Sequence, residues 1–325
     1  MKNRHSFFRF AQVLLIYTLL VILWGAWVRI SHSGDGCGDT WPLCNGQIIP
    51  DAQQKKTWVE FSHRLTSGLF GLIVIYIYWA CRQIFPKGSP ARKASLATLV
   101  FMITEALLGA KLVLFGLVGN NDSAFRLFAM SLHQINSMLL SGSVAMLVLF
   151  ASGMPERLQL AGEKAAETKK NWPLIFLLAI LAVAVTGGFA ALSTTLFPST
   201  SLFAGWTEDF APDAHYLVRL RISHPVLATF VGGGLALYFW LRAQLETQPV
   251  IRQSTLHAAG MLTVAVVFGY LTLFRLAPIW MKVMHLLIAH LVWISLLKWA
   301  ALKYSNFKWT THSTPSSGAG IESSH

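Results

Sequence analysis

Eight long apolar runs constrain this chain more than any other feature. They fall at residues 11 to 28, 65 to 81, 96 to 118, 127 to 151, 173 to 197, 217 to 241, 255 to 274 and 279 to 302. As a helix, each can cross the roughly 30 Å hydrocarbon core of a bilayer. Unpaired backbone groups are not tolerated in lipid, and the runs are continuous rather than alternating, so helices are expected and a barrel is not. Composition agrees: 54% hydrophobic against 12% charged residues is a balance that 325 residues could not keep in water. The first run follows Lys2, Arg4 and Arg9 but is no secretion signal. It is too long, and it ends in Trp24, Trp27 and Arg29 without a small-residue cleavage site.

A net charge of +12 could suggest nucleic acid, but the basic residues mark one side of a membrane instead. Lys2, Arg4 and Arg9, then Arg82, Lys87, Arg92 and Lys93, then Arg157, Lys164, Lys169 and Lys170, then Arg242 and Arg252, then Lys298, Lys303 and Lys308 occupy alternate connections. Those connections and both termini are therefore expected to be cytoplasmic. The connection from 197 to 215 carries Glu208, Asp209 and Asp213 and no Lys or Arg, as the opposite face should. Cys37 and Cys44 lie in the first outward loop, where a simple staple and a redox role are both open. Cys81 reads as a buried thiol.

Histidines reveal an internal repeat. His63 and His224 stand near the outer starts of the second and sixth runs, 161 positions apart, and His133 and His285 open the fourth and eighth, 152 apart. Between them EALLGAKLVLFG at 105 to 116 parallels AVVFGYLTLFR at 265 to 275, with Gly109 matching Gly269. The chain thus reads as an all-α integral membrane protein of eight transmembrane helices in two tandem, pseudo-symmetric four-helix bundles. They occupy residues 1 to 155 and 172 to 303, joined by a charged cytoplasmic linker at 156 to 171 and followed by a disordered tail at 304 to 325. Four spans per half put equivalent histidines at equivalent depth.

An ionisable side chain within a membrane helix is costly and marks a functional site. One histidine could simply hydrogen-bond to a neighbouring helix, but chance packing gives no reason for four to recur at repeat-equivalent positions. Two imidazoles at one depth on different helices suit the axial sites of an iron porphyrin, whereas zinc normally takes more ligands than these segments offer. Ser67, Gly68 and Ala228 could give the macrocycle room. His290 faces away from His285; His257, His32, His215, His5, His312 and His325 take no cofactor role. Glu60 precedes His63 by three positions and shares its helix face, while its repeat equivalent is Arg221. A carboxylate there can move protons or stabilise a cation; alternatively it pairs with Arg64 at i+4 and anchors the helix end. Glu105 and Lys111 do not share a face and take no role.

Together, WVRISHSGDGCGDTWPLCNGQIIP at 27 to 50, the E-x-x-H-R run from Glu60 to Arg64, ALLGAKLVLFGL at 106 to 117 and the placed His133, His224 and His285 make the chain resemble the haem A synthase family. The resemblance implies successive hydroxylations of one methyl group of haem O to the formyl group of haem A, for terminal oxidase maturation. It implies a haem B cofactor held by His224 and His285 and a substrate haem held near His63 and His133. It further implies a catalytic Glu60, a Cys37–Cys44 disulfide, and haem sites toward the outer face of the cell inner membrane. Expected partners are haem O, membrane lipid, a haem O synthase, an electron donor and further copies of the chain as a homo-oligomer; nucleic acid is not among them. Two rivals share the pattern. A dihaem cytochrome b relaying electrons from quinol to a partner fits the histidines equally, but not the contrast of Glu60 with Arg221. A transporter predicts matched Gly or Pro interruptions in both halves, of which only GGG at 232 to 234 is a candidate.

Overall fold

The computed structural model describes residues 3–51, 53–153 and 172–304. The linker expected at 156–171, and the tail beyond 304, lie outside them. Eight helices are long and apolar enough to cross a membrane: Arg4–Ile30, Lys55–Ile84, Pro90–Leu114, Ala124–Ala151, Trp172–Leu196, Tyr216–Leu245, Pro249–Phe274 and Ile279–Lys303. They are called the first to eighth spans below. Among the described residues there is no strand, only an isolated bridge between Cys44 and Gln47. The protein is an all-helical, multi-pass membrane protein.

Local chemistry sets the helix starts. Asn3, Ser89 and Ser123 each cap a span by accepting a backbone N–H with the side chain, and Pro90 takes a first-turn position where its missing N–H costs nothing. The second span begins at Lys55, well before its apolar run at 65. Its polar first turns carry Glu60, His63 and Arg64 and pack under the disulfide loop that precedes it.

Within the first half, the first span touches the second and fourth, and the third lies between the second and fourth. In the second half, the fifth span packs on the sixth and eighth, and the seventh lies between the sixth and eighth. The halves meet through the first and fourth spans on one side and the fifth and eighth on the other. Lipid tails are as apolar as leucine, so this association depends on close packing and interhelical hydrogen bonds. Thr98 donating to Ser143 at 3.0 Å and Tyr17 donating to the Thr66 carbonyl at 2.9 Å are two such bonds.

Both halves are packed solid at one end only. Phe7 and Leu14 of the first span meet Val74 and Ile77 of the second, Ala91 of the third and Leu147 of the fourth. In the second half Phe176, Phe239, Leu262, Trp293 and Trp299 do the same. These residues come from the starts of odd spans and the ends of even ones, the side of the amino terminus. The four repeat-related histidines stand toward the other end, where in the second half a cavity lies between the helices.

The sixth span differs from the single helix that its run suggests. It is divided into Tyr216–Arg221, Ser223–Leu227, a π-helical turn at Ala228–Gly233, and Gly234–Leu245. Pro225 explains the break: it has no N–H for the Arg221 carbonyl, and its ring collides with that carbonyl. The Thr229 hydroxyl bonds the Pro225 carbonyl at 2.6 Å instead. The turn covers part of the GGG segment, and no first-half span is interrupted in this way among the described residues.

Candidate functional site

The structure brings the second-half histidines together. The ring centroids of His224 and His285 are 6.0 Å apart, with planes at 71°. Two imidazoles each bound about 2 Å from one metal ion place their centroids roughly 6 Å apart, so the pair has the separation of axial ligands on one iron. Nδ1 of His224 lies 3.2 Å from the Val183 carbonyl and 3.4 Å from the Thr186 hydroxyl. Bonding Nδ1–H to a backbone carbonyl leaves the Nε2 lone pair for a metal, the usual orientation of a ligating histidine. Nε2 of His224 and His285 makes no hydrogen bond among the described residues.

Beside this pair lies a cavity of about 740 Å³, within the range of cofactor pockets. Its walls are mostly apolar, including Ile180, Ala228, Leu262 and Val266. Arg29, from the first span, and Lys282 also line it. Among the described residues, Nε of Arg29 is buried without a hydrogen-bond partner, and Lys282 donates to the Thr194 carbonyl and the Thr195 hydroxyl, at 3.2 and 3.3 Å. A flat apolar disc bearing two carboxylates fits such a space, with its edge toward the cations. These observations meet the requirements of a porphyrin.

In the first half, His63 on the second span and His133 on the fourth occupy the positions equivalent to His224 and His285. Each of the four histidines rests on a glycine of a neighbouring span. A methyl group on Gly25 would lie 2.9 Å from Cε1 of His63, and on Gly187 3.1 Å from that of His224. For Gly109 and His133 the distance is 3.8 Å, and for Gly269 and His285 3.1 Å. The pattern is the same in both halves, first span to second and third to fourth.

Glu60 is 3% exposed and fully engaged. Its Oε1 accepts from Arg64 Nη2 at 2.6 Å and Nε at 3.2 Å, and its Oε2 from the backbone N–H of Cys37 at 2.8 Å. The i+4 pair considered from the spacing is therefore present, with the disulfide loop added to it. Arg64 also donates to the Thr40 and Leu43 carbonyls, both at 2.6 Å, clamping that loop onto the second span. Cys37 and Cys44 form a disulfide, and Cys81 is free and buried. In the second half the charges are reversed. Arg221 pairs with Glu208 at 3.0 Å and with Asp209, both on the short helix Leu202–Phe210 between the fifth and sixth spans. The Ser199 hydroxyl and then Arg221 hold the Glu208 carboxyl below its ordinary range, whereas burial pushes Asp209 up despite the same arginine.

The model of the cytochrome oxidase assembly protein family, COX15-CtaA, matches residues 8–297. This chain belongs to that family. A Thermus thermophilus relative named protoheme IX farnesyltransferase is 39% identical over 286 residues, covering 88% of this chain and 46% of that protein. Proteins named heme A synthase from Alkalihalophilus pseudofirmus and Shouchella clausii are 42% and 43% identical over 108 and 110 residues, 33% of this chain and 36% of each of theirs. The chain thus spans about half or less of the curated relatives it matches.

Two features of this family member escape a reading by residue type. Gly25 and Gly187 are separated by nearly the same interval as His63 and His224, and that shared offset is the signal that could have found them. The flanking small residues are a mixed case: Ala228 lines the cavity, but Gly68 is exposed with open space around it. Glu105 is the second feature. Its Oε1 is 3.6 Å from Nδ1 of His133, and its oxygens accept from Asn136 at 2.5 Å and from Ser137. His290, set aside from the sequence, is fully buried between the halves with Nδ1 2.9 Å from the Ser141 hydroxyl.

Proposed function

We propose that the protein is a haem A synthase, which oxidises one methyl group of haem O to a formyl group by successive hydroxylations. The observation that carries this reading is the unequal chemistry of two like-built histidine pairs. The second-half pair has an apolar cavity, cationic walls and a backbone carbonyl on His224, and no carboxylate contacts either imidazole among the described residues. The first-half pair has two carboxylates, Glu60 one turn from His63 and Glu105 beside His133. An electron relay needs no such difference; a site that activates a C–H bond and moves protons does.

On this reading His224 and His285 hold haem B, with its propionates toward Arg29 and Lys282, and haem B supplies one-electron transfer when bound. His63 and His133 hold the substrate, and Glu60 is the catalytic carboxylate. The protein's own part is to orient the imidazoles through the glycine cradles, exclude water with the solid core on one side and the clamped loop on the other, and hold a carboxylate within one helical turn of a ligand. The location is the cell inner membrane, with both termini cytoplasmic and the haem sites toward the outer face. Haem O carries an apolar farnesyl tail and dissolves in the bilayer, so it reaches its site laterally between spans. The Thermus thermophilus relative, named for farnesyl transfer to protohaem, supports a haem O synthase as the supplier, since more than half of that protein lies beyond the segment similar to this chain.

The decisive experiment is expression together with a haem O synthase, followed by haem extraction. A formyl-bearing product is expected. Recovery of haem O alone, with electron donors present, would instead establish the relay.

A further inference from the structure

The carboxylate beside His133 has no counterpart in the second half. Gly109 bears on His133 and Gly269 on His285, and four residues before each stand Glu105 and Ala265. Position 105 is thus aimed at one axial imidazole, and the same register in the other half offers only a methyl group. On the fourth span, Asn136 and Ser137 follow His133 by three and four positions, so all three face the third span together. Asn136 donates to Glu105 at 2.5 Å and to the Phe101 carbonyl at 2.8 Å, and it accepts from Thr104 at 2.6 Å. Ser137 donates to the other carboxylate oxygen. No lysine or arginine pairs with Glu105 among the described residues. Nδ1 of His133 is buried and has no hydrogen-bond partner among the described residues, with Glu105 Oε1 3.6 Å away.

We propose that Glu105 is the positioning residue of the substrate site: it accepts the Nδ1–H of His133, fixes the tautomer that presents Nε2 to the substrate-haem iron, and strengthens that nitrogen as a donor. The inference rests on His63 and His133 being the substrate-haem ligands. A carboxylate on the far nitrogen raises ligand basicity more than a backbone carbonyl does, and removing such a partner typically costs about 10–100-fold in affinity. Contacts of this kind are often long before the site is loaded and tighten on binding. The second half makes the opposite choice, with the Val183 carbonyl on His224 and no partner on Nδ1 of His285. The two iron sites therefore differ in donor strength by design of the protein, with the stronger donor on the substrate.

The test uses the full chain carrying haem B, titrated with haem O and followed by absorbance and by redox titration. In Glu105→Gln, haem B content and spectrum are expected to match the parent, which shows that the chain is folded. Haem O is expected to bind about tenfold or more weakly, with the midpoint potential of that haem raised. Glu105→Asp should recover part of both. The reciprocal variant Ala265→Glu should lower the potential of the haem B site. Parent-like affinity and potential for haem O in Glu105→Gln would overturn the inference while leaving the ligand assignment intact. If haem O binding to the parent protein is indifferent to His63→Ala and His133→Ala, the ligand assignment itself fails, and this inference with it.

Discussion

The four histidines were legible because an ionisable group in an apolar run stands out. The residues that shape their surroundings were not. A glycine in a membrane helix usually serves helix packing, so nothing about Gly25 or Gly187 alone marks it as the floor beneath an imidazole. Glu105 was missed for a different reason: its relations were sought along its own helix, toward Lys111, whereas its partners are on the fourth span. The cradles give a graded prediction. Gly187→Ala places a methyl 3.1 Å from His224, whose Nδ1 side is held at Val183, so the ring must tilt. Haem B content per protein, measured as the pyridine haemochrome, should fall severalfold. Gly109→Ala, at 3.8 Å from His133, meets only ordinary van der Waals contact and should leave haem content unchanged. At the neighbouring site Glu60→Ala should leave haem B content intact and abolish conversion of haem O, measured by extraction and chromatography. Unimpaired conversion would remove Glu60 from the chemistry and leave it as the anchor its pairing with Arg64 describes.

Among elements, the continuous apolar runs located every span, and the capping serines and prolines agree with where several begin. The departures come from residues whose effect is local. A proline at 225 disturbs the sixth span, but which turn absorbs the disturbance depends on Thr229 and on the glycines that follow. The first loop was legible as a cysteine-bearing connection, and its attachment was not, because the attachment consists of backbone carbonyls meeting Arg64. Closing so short a loop with a disulfide contributes about 2–3 kcal/mol by chain-entropy arguments. The Arg64 clamp is independent of it. The Cys37→Ser, Cys44→Ser variant should therefore keep its loop on the second span and resist proteolysis between residues 31 and 54 nearly as well as the parent. Adding Arg64→Ala removes the two carbonyl contacts and the Glu60 pair together, and cleavage there should become rapid. Equal cleavage in the two variants would show that Arg64 does not hold the loop.

For the whole molecule, the repeat predicts two tandem four-helix halves, and the structure joins them by more than packing, through the Ser141–His290 hydrogen bond and through a first-span arginine in the second-half cavity. Arg29 belongs to the first span yet lines the second-half cavity together with Lys282, and neither pairs with a carboxylate among the described residues, the cavity's Asp209 being held by Arg221. Like charges gathered at the mouth of an apolar cavity are costly unless an anion joins them. The proposed porphyrin, with two carboxylates, would supply that anion, and its binding would relieve a repulsion as well as making contacts. Charge-assisted hydrogen bonds of this kind contribute about 1.5–3 kcal/mol, or roughly tenfold to a hundredfold in affinity. Arg29→Ala should thus release haem B more readily by about that factor, measured as transfer to an acceptor apoprotein, while His63-dependent binding of haem O persists. Arg29→Lys should retain most of the affinity. If Arg29→Ala holds haem B as tightly as the parent, the carboxylates point elsewhere, and the two halves are joined by packing of the first, fourth, fifth and eighth spans and by the Ser141–His290 bond alone.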